Sequence, residues 1–167
     1  MSIVYLNIRG GLGNQLFQIL CCYVYCEKHN KKLQISQSIF GEFTRNKVYW
    51  ENLLDSFKNN LCDNFPDKNT MQCVDDNELH KTEFENDIIV IGYFQKYTYF
   101  HEYNDNIYRY LELETKKNKL KEKLNINFEN TISMHFRLGD YKIHQDCHPI
   151  LPLHYYERYL DFIFKTH

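Results

Sequence analysis

The chain has 167 residues, enough for one well-cored domain and a piece of another. Hydrophobic residues make up 43% and charged residues 25%, an ordinary globular composition with no apolar run as long as the roughly 18 residues of a membrane span. A net charge of -2 without a basic stripe argues against a partner that is nucleic acid or an anionic membrane.

In chain order, residues 3–8 (IVYLNI) form a β-branched and aromatic run that predicts a buried strand. It starts so early that no basic region, long apolar stretch or small-residue cleavage site of a secretory leader precedes it. Residues 9–13 make a turn. From Asn14 to about His29 the apolar residues Leu16, Phe17, Leu20 and Val24 recur at helical spacing. KLQIS (32–36) reads as a second strand, which gives a strand-loop-helix-strand unit with parallel strands and a right-handed crossover. Three of the six cysteines (Cys21, Cys22 and Cys26) fall on that helix. The other three (Cys62, Cys73 and Cys147) add no secreted-framework spacing, and no N-x-S/T sequon occurs. Reduced thiols in a cytoplasmic protein are expected.

Signals weaken over residues 37–86. VYWENLLDSF predicts a helix, MQCV a short strand and the polar stretch 59–70 a loop. Residues 88–91 of DIIVIGYFQKYTYF form a continuous apolar run, the pattern of a parallel strand buried on both faces. Residues 104–124 read as helix in one or two pieces with a charged second half. NTISMHFRLGDY predicts a further strand over 131–136 ending in a polar loop, and LPLHYYERYLDFIFK a helix opened by Pro152. Alternating strands and helices predict an α/β fold. The 131–136 strand and its helix follow a charged connection; they either complete the first sheet or begin a second domain.

The glycine turn is the first candidate site. Gly11 and Gly13 match the start of G-x-G-x-x-G, but Leu16 holds the third position, and Ser36 and Gln37 stand where a ribose-binding acid would end the second strand. The P-loop pattern fails as well, since no Lys-Ser or Lys-Thr comes after the glycines. What remains is physical. Glycines let backbone amides approach an anion, the helix N-terminus adds a favourable dipole, and Asn14 and Gln15 add amide donors and acceptors suited to a sugar or a diphosphate. A tight turn that holds no ligand is the plain alternative.

His135, Arg137 and Asp140 at the end of the 131–136 strand are the second candidate. Positions 135 and 137 point to one side of an extended chain, and a guanidinium can bond two diphosphate oxygens at once. An Arg137–Asp140 ion pair bracing a turn, beside a satisfied His135, explains the same residues. The third candidate is His144, Asp146, Cys147 and His148. It lacks a fourth ligand with paired C-x-x-C spacing, so no metal is expected there.

GGLGNQLFQ, then GYFQKYTYF, then HFRLGDY followed by HPILPLHYYERYL resemble, in that order, the alpha-1,2-fucosyltransferases. The resemblance extends from residue 9 to residue 160. It implies a GT-B-type glycosyltransferase with Rossmann-like parallel-sheet lobes: an N-terminal lobe at 1–129 and, at 130–167, the start of a truncated, donor-binding second lobe. It also implies inverting, metal-independent transfer of L-fucose from GDP-fucose to the 2-hydroxyl of a galactoside-containing acceptor glycan, with no cofactor beyond the donor substrate. Arg137 would stabilise the leaving diphosphate, and His135 and Asp140 would orient the loop or act as base. Gly11, Gly13, Asn14, Gln15 and Tyr141 would contact the donor. Two departures stand out. Leu138 replaces the second arginine of the family's H-x-R-R-G-D-Y, and the later Ser/Trp-rich motif does not occur. An inactive remnant that binds at most a nucleotide or sugar is the alternative.

Overall fold

The computed structural model describes residues 1–37, 49–125, 129 and 131–166. The chain falls into two compact units, Met1–Leu124 and Asn125–His167.

The first unit is an α/β layer structure around a five-stranded, all-parallel sheet of Rossmann-like type. Its strands are β1 (Ile3–Leu6), β2 (Lys32–Ser36), β3 (Leu61–Cys62), β4 (Gln72–Val74) and β5 (Ile88–Val90), in spatial order β3-β2-β1-β5-β4. β1 lies in the middle: Leu6 pairs with Ile35 on one side and with Val90 on the other. All three residues of β5 are buried, as an apolar run in a covered parallel sheet requires.

Helix α1 (Leu12–His29) packs on β1 and β2, and its Ile19, Cys22 and Val24 belong to the same core cluster as Val4, Leu6 and Ile8. Each large aliphatic side chain removed from water there contributes about 1.5–3 kcal/mol. α1 starts two residues before the expected Asn14, with Gly11 in the extended N-cap position. It ends at Asn30, which takes the left-handed conformation and donates its N–H to the Cys26 carbonyl.

The helix expected over VYWENLLDSF does not form. Val48 lies outside the described residues, and from Trp50 the chain makes a run of turns and then a 3-10 helix, Asp55–Asn60. The buried anchors Leu54 and Phe57 are three residues apart, the 3-10 repeat, and Phe57 N–H bonds the Leu54 carbonyl at 3.0 Å. Within the polar stretch read as loop, Leu61 and Cys62 form β3, because Ile35 and Ser36 offer them a free parallel edge. A one-turn helix α2 (Asp76–Leu79) was also not expected. Its capping box, in which the Asp75 carboxylate accepts from Asn77 and Glu78 N–H, was legible as D-x-x-E.

After β5 come two 3-10 turns, Tyr97–Tyr99 and His101–Tyr103, and then α3 (Asn104–Tyr110) and α4 (Leu113–Leu124). The predicted helix is thus in two pieces, broken at Glu112 with a positive φ of 51°. Tyr110 fastens α3 down: its ring packs on Tyr23 (4.7 Å) and Phe57 (4.9 Å), and its hydroxyl donates to the Ser56 carbonyl.

In the second unit the strand expected over 131–136 is absent; residues 131–138 have no regular structure. A ladder needs a neighbouring strand, and the described residues of this unit include none. Ile132, Met134, Phe136 and Leu138, every second residue, are each more than 40% exposed. A short 3-10 turn, Asp140–Lys142, precedes α5 (Leu153–Thr166). As expected, α5 begins directly after Pro152, whose carbonyl accepts from Tyr155 N–H at 3.0 Å. Among the described residues no helix is long and apolar enough to cross a membrane.

Candidate functional site

In the first unit the candidate site is the turn between β1 and α1, at the carboxyl edge of the sheet. Gly10 makes the turn. Its φ is 80°, and a Cβ there would sit 2.6 Å from Asn14 Nδ2. The glycine that the backbone demands is therefore Gly10, which the G-x-G spacing passes over. Gly11 and Gly13 have ordinary conformations, and added Cβ atoms there would meet nothing within 4 Å. Their openness leaves room above the first turn of α1. That turn has no side-chain cap and no acidic residue, while Lys28 and His29 occupy the last turn. The basic last turn suits the helix dipole, and the start, with no acid or cap of its own, has backbone donors to offer.

Two glutamines hold this turn from beneath. Gln15 is buried, and its Nε2 donates to the Gly10 carbonyl at 2.9 Å. Gln18, also fully buried, grips Arg9 twice: its Oε1 accepts from Arg9 N–H at 3.0 Å and its Nε2 donates to the Arg9 carbonyl at 2.8 Å. The same Nε2 reaches the Asn14 carbonyl at 2.9 Å. Gln18 holds the turn in place, and motif spacing misses it. Its signal lies in GNQLFQ, a second glutamine three residues along on an otherwise apolar helix face.

Asn14 connects the turn to the GYFQ segment: Gln95 Nε2 donates to Asn14 Oδ1 at 2.6 Å. Two of the sequence motifs, far apart in the chain, are therefore in direct contact. Gly11, Gly13, Asn14 and Gln15 all stand on one turn and the start of one helix, as their proximity in sequence requires.

In the second unit Arg137 lies with its guanidinium over the Tyr141 ring, 4.9 Å from the centroid, and Tyr141 in turn stacks on His148 at 4.7 Å. The cation–π contact helps to position the guanidinium. His135 is exposed; Asp140 begins the 3-10 turn, and its side chain lies outside the described residues. His144 belongs to a run of turns, accepting through its carbonyl from Cys147 and His148 N–H. Among the described residues no three His, Cys, Asp or Glu side chains are grouped to hold a metal.

A cavity of about 290 Å³ opens elsewhere in the first unit, toward the C-terminal half of α1. There the His80 ring stacks on Tyr99, and its Nε2 lies 3.3 Å from Cys21 Sγ. Burial, helped by Lys96 and Lys28 against Asp76, lowers the His80 pKa to about 4, and burial pushes the Cys21 thiol up. Both groups are neutral near pH 7, so this pair is not an activated nucleophile.

No protein-family model matches the chain, and no solved structure matches it. Over 177 aligned residues it is 25% identical to an alpha-1,2-colitosyltransferase of Escherichia coli. The similarity is to a glycosyltransferase. The alignment takes in 88% of this chain but 60% of that protein, so the chain spans about 60% of the length of the curated relative it matches.

Proposed function

We propose that the chain serves an inverting, metal-independent glycosyltransferase reaction of the alpha-1,2 kind, with GDP-fucose as donor and the 2-hydroxyl of a galactoside as acceptor. The observation that carries this reading is the similarity to an alpha-1,2-colitosyltransferase along 88% of the chain. The Gln95–Asn14 hydrogen bond supports it further, since it gives two separate motifs a common place at the carboxyl edge of the sheet, where open α/β sheets take ligands.

In this reading the acceptor oxygen attacks the anomeric carbon, the bond from that carbon to the diphosphate oxygen breaks, and GDP leaves carrying the electron pair. Arg137 faces the charge that develops on the diphosphate. The acceptor's proton passes to a base, for which His135 and Asp140 are the candidates. Gly11, Gly13, Asn14, Gln15 and Tyr141 contact the donor.

The test is transfer itself. Incubation with GDP-fucose and a galactoside should yield an alpha-1,2-linked product, identified by NMR. Arg137→Ala should lower turnover about 100- to 1,000-fold, the usual loss of one preorganised donor, while leaving the melting temperature unchanged. Undiminished turnover in that variant refutes the role given to Arg137. A second reading is a nucleotide- or sugar-binding lobe without transfer. GDP binding measured by calorimetry, with no product formed, would establish it.

A further inference from the structure

Among the described residues, two side chains at the carboxyl end of β1 hold buried polar atoms that have no hydrogen-bond partner. Asn7 is 4% exposed, and neither its Oδ1 nor its Nδ2 makes a hydrogen bond. Two residues on, Arg9 has a buried Nε that is likewise unpartnered. Folded proteins rarely leave such atoms unpaired, so two within three residues call for an explanation.

Their placement supplies one. Ile8 between them is fully buried in the core cluster with Val4 and Leu6, continuing the alternation of β1. Positions 7 and 9 therefore share the opposite side of the chain. They extend the middle strand of the sheet, one and three residues beyond the point where Leu6 is flanked by Ile35 and Val90. Gln18 fixes the Arg9 main chain through both its N–H and its carbonyl, so the side chain departs from a held backbone.

The two groups also specify chemistry. The Arg9 Nε–H is a charged donor that calls for an anionic oxygen. The Asn7 amide offers one donor face and one acceptor face, which together suit a hydroxyl. We infer that Asn7 and Arg9 form a sugar-phosphate contact of the first unit, meeting an anionic oxygen with a hydroxyl beside it. The inference deepens the reading above and rests on it for the donor's identity. Either the ribose phosphate of a nucleotide or the phosphate of a transferred sugar has this chemistry.

Calorimetry on the full chain with three probes, GDP-fucose, GDP and fucose 1-phosphate, tests the inference and separates the sources. Binding of GDP with weak binding of fucose 1-phosphate assigns the contact to the nucleotide; the reverse assigns it to the sugar. With the probe that binds, Arg9→Gln should weaken affinity about 10- to 100-fold, as loss of a charged hydrogen bond does. Asn7→Leu, similar in volume, should weaken it as well while raising the melting temperature, because it removes an unpaired amide. A lowered melting temperature for Asn7→Leu, with binding intact, overturns the role of Asn7. Equal affinity in wild type, Arg9→Gln and Asn7→Leu overturns the inference and leaves the transferase reading standing. Arg9-dependent binding of fucose 1-phosphate without any transfer upholds the inference and sinks that reading. Failure of all three probes to bind removes both.

Discussion

Gln95 Nε2 and Asn14 Oδ1 meet at 2.6 Å although 81 residues separate them in the chain. The bond ties the segment after β5 to the first turn of α1. It lies near the surface, so its net contribution is about 0.5–1.5 kcal/mol. Gln95→Ala and Asn14→Ala should each lower stability by that amount, and the double variant should lose less than the sum. A double-mutant cycle by urea denaturation measures the difference; strict additivity would mean the contact carries no energy.

Replacement of the three glycines should separate the turn from the site. Gly10→Ala forces a side chain into a left-handed conformation and against Asn14, so a loss of about 1–3 kcal/mol is expected. Gly13→Ala sits in open space inside α1 and should be neutral or stabilise by about 0.5–1 kcal/mol. If the turn meets a donor, Gly11→Ala and Gly13→Ala weaken GDP-fucose binding without destabilising the fold, which melting and calorimetry together would reveal.

Gln18→Leu should be among the most damaging single changes in the first unit. It leaves the Arg9 N–H and carbonyl without their partners in a partly buried setting. A cost of about 2–4 kcal/mol is expected from two orphaned groups. Chemical denaturation with an unchanged slope would verify it.

His80 should make the protein weaker in acid. Its folded pKa of about 4 lies below the ordinary 6.5, so between those values the unfolded chain binds a proton that the folded one refuses. Stability from this group is complete above about pH 6.5 and is lost as pH falls toward 4. His80→Phe keeps a ring against Tyr99 and should flatten the melting-temperature profile over that window.

Thiol labelling should divide the cysteines. Cys73 and Cys147 are exposed and should react quickly with a disulfide reagent at pH 8, and half-buried Cys62 more slowly. Cys21, Cys22 and Cys26 are buried, with burial pushing all three thiols up, Cys26 to about 12. They should react only on unfolding.

How much of the fold is legible in the sequence depends on how local the signals are. β2 is legible because KLQIS is bounded by turn residues, and α1 because its apolar repeat runs for several turns. β3 is not, since two residues make a strand only when Ile35 and Ser36 lie beside them. The opposite failure occurs at 131–136, where an alternating pattern meets no partner strand among the described residues. At the candidate site GNQ is visible as a motif. Gln18 and Gln95 lie inside the motifs, but their partners emerge only from contacts, and the demand for glycine at Gly10 only from its conformation; spacing reports neither.

The place of β1 in the sheet bears on how the chain is born. Val4 finds its partner Ile88 only after more than eighty further residues have been made. Until then one flank of the strand is an open edge, able to recruit a neighbouring nascent chain. A pause before β5 has emerged from the ribosome should therefore favour aggregates, and a pause after it has emerged should help the yield of native protein.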